Sequence, residues 1–412
     1  MDRSRLAFIG VDPHKFQHTA VVTNCWNQVL GTVSTRNHPD AFPGFLKTLL
    51  GHVPQGFQPV FGLEDCHGYG RHLASFLLRA GCLVKAVTPI QAHRERSRRT
   101  RPEKSDPVDA RNIACVMIQH LDSLPDAVVD ELHLALAHVY RHRDRLVESL
   151  TTAKNRLHAL LAQQFPGYEQ WFTDPAIVSA LDFWQRFPSP TYLRRTTLDH
   201  LEAFFSRRIR GPLAHKKAEL ILDSVSSGRP DGLEEKTRSL LIQYTVSEIR
   251  ELQRITKGLE AHLERLLDKT GLQLTTIPGV NTVSAAGLVA EIGPVTRFAS
   301  ADKLAAYAGI APVERSSGQK RRHRRTRSGR RSLHKVLYHI ALCQISVAPS
   351  GKPGNPKARE FFLRKIAEGK TKRAAMTCVM RRLVGIIYAM MKHGTPYRSN
   401  VAMTRSVEAA AD

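Results

Sequence analysis

The stretch Leu6-Ala-Phe-Ile-Gly-Val-Asp12-Pro-His-Lys15 decides how the first third of the chain is read. Six residues from Leu6 to Val11 form a short apolar run, and an acid follows it at Asp12. A run this short and this apolar predicts a buried strand with a carboxylate at its end. Working outward, His18–Thr23 and Val29–Ser34 are rich in Val and Thr and predict two more strands, close enough to form a meander. Val60–Leu63 predicts a fourth strand, and it too ends in an acid, Glu64. Gly70–Ala80 has helical apolar spacing, and Leu83–Val87 predicts a fifth strand. Three early strands followed by alternating helices and strands predict a mixed sheet covered by helices. The ribonuclease H-like fold has this order.

Asp106 and Asp109 lie three apart where a helix is predicted to start, so both carboxylates share one face. With Asp12 and Glu64 they make a candidate set of four. Carboxylates from two strand ends and one helix face converge only if something positive sits between them, and hard divalent cations with oxygen ligands, Mg2+ or Mn2+, answer that need. A pair of such ions would serve both the attacking and the leaving oxygen of a phosphodiester. Each acid also has a structural reading: Asp12 as a turn cap before Pro13, Asp106 or Ser105 as a helix N-cap before Pro107, Glu64 as a surface residue. Asp65 is set aside, because on a strand it points to the opposite face from Glu64. Just upstream of the aspartate pair, Arg94, Arg96, Arg98, Arg99, Arg101 and Lys104 crowd a short segment that would grip a nucleic-acid backbone.

Composition agrees with such a partner. The 412 residues carry 61 Lys and Arg against 37 Asp and Glu, a formal net charge of +24. An excess of that size calls for a polyanion, because neutralised phosphates release counterions. Six cysteines, with no Cys-x-x-Cys pair, read as reduced core residues rather than a disulfide frame or a zinc site. No apolar run approaches the ~18 residues of a membrane span, and the N-terminus shows no secretory signal. The expectation is an intracellular protein without a membrane segment, cytoplasmic and close to the nucleoid in a bacterium.

Two long amphipathic helices are predicted, over 128–163 and 234–268, with apolar residues at 3/4 spacing interrupted by Arg143 in the first and by Thr245 and Thr256 in the second. They flank a segment holding Trp171, Phe183, Trp184 and Phe187. An antiparallel coiled coil with a small helical insert is one reading, and two core helices of a bundle is the other. Farther on, Ile277-Pro-Gly-Val280 followed by a small-residue helix resembles a helix-hairpin-helix, whose turn binds phosphate through backbone N–H groups. The expected domains are 1–125 (α/β), 126–270 (helical), 271–395 (mostly helical) and a disordered tail over 396–412.

The last motif is Ser316-Ser317-Gly318, read as a turn, followed by eight Lys or Arg between Lys320 and Arg331. Lys320, Arg321, Arg322, Arg324, Arg325 and Arg327 are candidate phosphate ligands. A serine hydroxyl set among them has the means to attack a phosphodiester, since arginines stabilise the developing charge. Without further context the same tripeptide is an ordinary loop.

Taken together, FIGVDPHK, GLEDCHGYG, RRTRPEKSDPVDARNIA, LTTIPGVNTVSAAGLVAEIG, RFASADKLAAYAGIAP and the SSGQKRRHRRTRSGRRSLHKVLYHIA block resemble, in order and spacing over nearly the whole chain, the DEDD insertion-sequence transposases. That family includes bridge-RNA-guided serine recombinases and DNA invertases of the Piv type. The resemblance implies a RuvC-like N-terminal domain with Asp12, Glu64, Asp106 and Asp109 as a metal-binding tetrad. It implies a catalytic serine in the C-terminal domain, placed at Ser317, with Ser316 the alternative. It further implies a phosphoserine linkage to DNA, an element-encoded bridge RNA that pairs with donor and target DNA, and dimers that pair into tetramers. The sequence departs from the family pattern in the more basic segment Arg322-His-Arg-Arg-Thr-Arg-Ser-Gly-Arg-Arg331. The competing enzyme reading is a RuvC-like, metal-dependent nuclease that uses water as nucleophile.

Overall fold

A computed structural model describes residues 2–398 except 67, 99–104, 210, 226–231, 318–319 and 326–328, and over 312–325 it describes the backbone alone. The chain divides into two compact units, one formed by Met1–Ala137 with Leu267–Asp412 and the other by His138–Leu266.

The first unit opens with β1 (Leu6–Pro13), β2 (Gln17–Thr23), β3 (Val29–Arg36), α1 (Phe42–Gly51), β4 (Gln58–Leu63), α2 (Arg71–Arg79), β5 (Leu83–Ala86), α3 (Pro89–Arg96) and α4 (Asp106–His120). The strands form one sheet in the order β3-β2-β1-β4-β5. The meander β1–β2–β3 is antiparallel, while β4 and β5 add in parallel to β1. This is a mixed α/β architecture, as the strand and helix spacing predicts. β1 is buried along its whole length because it is central and covered on both faces. On one face Ile9, Val11, Phe61 and Leu63 pack under α1 and α2 through Phe42, Phe45, Leu73 and Leu77. On the other, Leu6, Phe8 and Val60 pack against Ile113, Ala114 and Met117 of α4. One boundary differs from the sequence expectation: β1 runs on through Pro13, so Asp12 stands inside the strand rather than beyond it. The strand continues because the hairpin to β2 pairs Asp12 with Thr19 and Pro13 with His18.

Gly10 and Gly62 set how closely α4 lies on the sheet. A Cβ on Gly10 would stand 2.1 Å from the Ala110 carbonyl oxygen and 2.6 Å from the Ala114 nitrogen, and one on Gly62 would stand 2.4 Å from Met117 Sδ. The helix therefore rests on bare backbone at two neighbouring positions of β1 and β4.

In the second unit, α5 (Glu131–Gln164) and α10 (Leu233–Asp268), which cross its boundaries, run antiparallel. The ion pairs Arg143–Glu260 and Arg156–Glu248 show the direction, since the partner number falls as the first rises. Arg143, which interrupts the apolar seam, donates to Glu260 at 2.5 and 3.0 Å. Between them lie α6 (Val178–Arg186), α7 (Pro190–Arg194), α8 (Leu198–Ser206) and α9 (Gly211–Val225). Their aromatic residues Phe183, Trp184 and Phe205 share one core with Leu157 and Leu161 of α5 and with Ile242, Val246 and Ile249 of α10. The two long helices are thus joined by ion pairs along their length and share a core with α6 and α8.

The C-terminal part of the first unit holds α11 (Thr282–Ile292), α12 (Ala301–Tyr307), the hairpin β6 (Pro312–Ser317) and β7 (Lys320–Arg325), α13 (Arg331–Ile345), α14 (Pro356–Ala367) and α15 (Lys372–His393). The element before the Pro278-Gly279 turn is a single 3-10 turn, Leu274–Thr276, not an α-helix adjoining the turn as in a full helix-hairpin-helix. Gly279 has φ +81°, which explains the glycine there. Among the described residues α15 is the helix long and apolar enough to cross a membrane, a feature absent from the sequence reading. Val379, Met380, Leu383, Val384 and Ile387 are buried in the packing of α15 against α12, α13 and α14. The expected disordered tail lies, from residue 399 on, outside the described residues.

Candidate metal centre and nucleic-acid interface

Sheet register brings the first two acids together. β1 and β4 pair in parallel with Gly10 opposite Gly62 and Val11 opposite Leu63, so the next positions are Asp12 and Glu64. Side chains alternate along a strand, so these two carboxylates share the face of Gly10 and Gly62. That is the face on which α4 lies. Asp65 takes the other direction and accepts the Tyr69 N–H at 2.9 Å.

The second two acids arrive with α4. Ser105 is its N-cap in extended conformation, and its carbonyl accepts the Asp109 N–H at 2.9 Å. Asp106 and Asp109 follow in the first turn, where the unpaired N–H groups and the helix dipole favour negative charge. Because Gly10 and Gly62 let α4 approach, this turn stands over the ends of β1 and β4.

The four charges feel one another. Burial raises the pKa of the Asp12 carboxyl; the imidazole of His14 opposes the rise, and Asp109 and Asp106 add to it. Burial likewise raises the pKa of Glu64, with Asp12 and Asp109 adding and Arg96 opposing. Asp12 is 7% exposed, and its Oδ2 atom is buried without a hydrogen-bond partner. Two side chains of the protein, an imidazole and a guanidinium, meet the group. His14 Nε2 lies 3.1 Å from Asp12 Oδ2 and 3.4 Å from Asp106 Oδ1. Arg96 Nη1 donates to both oxygens of Asp109 at 3.0 and 3.2 Å. A buried, unpaired carboxylate oxygen among mutually repelling carboxylates suits a hard divalent cation, which would take oxygen from each wall.

The basic segment divides. Arg94 is exposed. Arg98 is exposed and donates to Glu95 and Gln119, each at 2.9 Å. Arg96 turns inward to Asp109. Arg99, Arg101 and Lys104 lie outside the described residues.

The serine motif differs from the expected turn. Ser316 and Ser317 are the last two residues of strand β6, opposite Arg321 and Lys320. Arg322, Arg324 and Arg325 pair in register with Arg315, Val313 and Pro312. The turn itself, Gly318-Gln319, and Arg327 lie outside the described residues. An antiparallel partner strand is what makes a strand of the basic run, which has little strand propensity of its own. Among the described residues, Asp12 and Glu64 interact with each other, with Asp109 and with His14, Asp106 and Arg96, while the side chains of the Ser316–Ser317 hairpin lie outside the description.

The hairpin is moored at its exit. Arg330 Nε donates to Glu291 Oε2 at 2.7 Å, and Ser332 Oγ donates to the same oxygen at 2.6 Å. The Glu291 side chain is fully buried on α11. Burial works to lower the Arg330 pKa, and the Glu291 carboxylate more than reverses it. Glu291→Gln keeps the shape but removes the charge, so it is expected to lower unfolding free energy by about 2 kcal/mol, measured by denaturant unfolding.

His14 and Glu291 are the two polar residues that sequence reasoning passed over. His14 had a signal: it follows Asp12 by two positions across Pro13 and sits at the hairpin corner, where its N–H donates to the Gln17 carbonyl at 2.9 Å. Glu291, a lone acid in an apolar helix, had a weaker one.

Two family models match the chain. One, described as a transposase and named for the DEDD enzymes of IS110, matches residues 9–166. The other, described as the IS116/IS110/IS902 transposase family, matches residues 272–362. Together they cover more than half of the sequence. Among curated relatives, the 43.6 kDa protein of insertion element IS110 from Streptomyces coelicolor is 28% identical over 81% of each chain. The 44.8 kDa protein of insertion element IS116 from Streptomyces clavuligerus is 25% identical over 93% of this chain and 94% of its own. A pilin gene-inverting protein of Moraxella bovis is 31% identical over 31% of this chain and 38% of its own.

Proposed function

Because the chain belongs to the DEDD transposases of the IS110 type and is a DNA transposase/recombinase, we propose that it mobilises an insertion element by cutting and exchanging DNA strands with a serine nucleophile and a DEDD metal site. The observation that carries this reading is the register of β1 and β4, which sets Asp12 beside Glu64 beneath the first turn of α4 with Asp106 and Asp109. In this reading residues 1–125 are a RuvC-like domain, 126–270 a coiled-coil and helical insert, and 271–395 the serine domain. Asp12, Glu64, Asp106 and Asp109 hold Mg2+ or Mn2+. Bound there, the ion stabilises charge on the attacking and leaving oxygens of a phosphodiester. Ser317 Oγ gives up its proton and bonds to phosphorus; the bond from phosphorus to the departing sugar oxygen breaks, and that oxygen leaves as a hydroxyl. Lys320, Arg321, Arg322, Arg324, Arg325 and Arg327 steady the phosphate charge, while Arg94, Arg98, Arg99, Arg101 and Lys104 follow the strand near the carboxylates. Arg96 exchanges Asp109 for a phosphate when nucleic acid enters.

As the resemblance to the family implies, the proposal includes a structured bridge RNA from the element, which reads donor and target DNA by base pairing while the protein reads shape and backbone; the net charge of +24 suits a polyanion of either kind. The working assembly is a dimer that pairs into a tetramer, acting in the bacterial cytoplasm at the nucleoid. The second reading is a RuvC-like, metal-dependent nuclease that uses water as nucleophile.

Covalent trapping separates the two. Protein, Mg2+, labelled element-junction DNA and the RNA of the flanking non-coding region are mixed, denatured and resolved on a gel. A protein–DNA adduct lost in Ser317→Ala is expected. Loss only in Ser316→Ala moves the nucleophile by one residue, and cleaved DNA without adduct establishes the hydrolytic route.

A further inference from the structure

We propose that His14 is a nitrogen ligand of the divalent ion, so that the centre is a carboxylate–imidazole site with a preference for Mn2+ over Mg2+. This rests on the reading of the DEDD set as a metal site and adds a donor to it. Three ligand atoms, one each from Asp12, His14 and Asp106, already lie within 4.8 Å of one another. The imidazole Nε2 is 3.1 Å from one carboxylate oxygen and 3.4 Å from the other. Adjacent donors on an octahedron with bonds of about 2.1 Å stand roughly 3.0 Å apart. Both distances from the imidazole nitrogen, 3.1 and 3.4 Å, lie close to that spacing.

A second observation points the same way. Asp12 Oδ2 is buried without a hydrogen-bond partner although a ring nitrogen is 3.1 Å away. An oxygen that is buried and lacks a hydrogen bond of normal geometry has a lone pair left for a cation, and the imidazole nitrogen beside it is placed to share that cation.

The local fold fixes His14 in this pose. It is the corner residue of the β1–β2 hairpin, and its backbone N–H is tied to the Gln17 carbonyl. Pro13 before it restricts the backbone. The ring is half exposed, so it reaches the carboxylates from the open side, while Glu64 and Asp109 lie on the more buried one. Imidazole is a poor donor to Mg2+, which favours oxygen, and a better one to transition-metal ions.

The test uses the full-length, metal-free protein and Mn2+ alone. Free Mn2+ is counted by electron paramagnetic resonance during titration, and pulsed measurements record nitrogen coupling to the bound ion, with 15N-histidine labelling to identify it. The wild type is expected to bind Mn2+ with a directly coordinated histidine nitrogen. In His14→Ala that coupling is expected to vanish and the Mn2+ dissociation constant to rise on the order of tenfold or more, with Mg2+ binding changed less. Asp12→Asn is the control for the site itself. If the wild type binds Mn2+ and Asp12→Asn abolishes binding, but no nitrogen coupling appears and His14→Ala binds as the wild type does, the ligand assignment is overturned and the carboxylate site stands. If the wild type binds no Mn2+, both fall.

Discussion

Asp12→Asn and Asp109→Asn are each expected to slow DNA strand cleavage on the order of a thousandfold, while affinity for the same DNA stays within about threefold of the wild type. The size follows from position. Both acids belong to the proposed set of four ligands, and a neutral amide in that set would remove part of the attraction that holds a divalent ion. Binding is spared because affinity for a polyanion comes from the excess of 61 basic over 37 acidic residues, not from these four. Unfolding does not account for the loss. Burial raises the Asp12 pKa, so its ionised form is disfavoured in the metal-free fold, and an amide of the same shape relieves that strain. Metal-free Asp12→Asn should therefore melt no lower than the wild type at neutral pH. Cleavage of labelled element-end DNA in Mg2+, beside a gel-shift titration and a melting curve, checks all three statements. Full cleavage by either variant would remove the tetrad from the chemistry.

Gly10→Ala is expected to lower stability by about 3 kcal/mol or more, because the new methyl group meets backbone rather than a movable side chain. A Cβ there would stand 2.1 Å from the Ala110 carbonyl oxygen, so α4 has to move away from the sheet. Its first turn, with Asp106 and Asp109, moves with it. Stability, divalent-ion affinity and cleavage should fall together. Gly44, on α1, is the control: a Cβ there meets nothing within 4 Å, and Gly44→Ala should be neutral or stabilising by about 0.5–1 kcal/mol. Urea unfolding of both variants measures the difference. Equal stability of Gly10→Ala and the wild type would mean that α4 does not rest on bare backbone.

The five strands and the two long helices are legible in the sequence because each is a local pattern. Apolar runs of strand length end in acids, and apolar spacing of 3/4 in α5 runs from Leu132 to Leu160, about eight turns, with Arg143 as the one interruption. The candidate carboxylates are legible for the same reason, since the position of an acid after a strand is local information. What brings them together is not. The pairing of Gly10 with Gly62 is a fact of register between distant segments, and a strand glycine reads in isolation only as a weakness. The β6–β7 hairpin is hidden because Lys320–Arg325 has the composition of a solvated loop, and only its partner strand makes it extended. His14 escapes because a hairpin corner, not a periodicity, turns it toward Asp12 and Asp106. α15 escapes the membrane-span reading because its apolar stretch is flanked and broken by Arg and Lys.

A metal centre shared by three distant segments can be mapped by iron-directed cleavage of the polypeptide. Fe2+ replaces the native ion, ascorbate and peroxide generate hydroxyl radicals at the bound iron, and the cut positions are mapped by mass spectrometry. Cuts are expected next to Asp12, next to Glu64 and around Asp106–Asp109, all three suppressed together by excess Mg2+ or Mn2+ and all three lost in Asp12→Asn. Cuts at one segment alone, or at sites indifferent to Mg2+ and Mn2+, would contradict a shared centre.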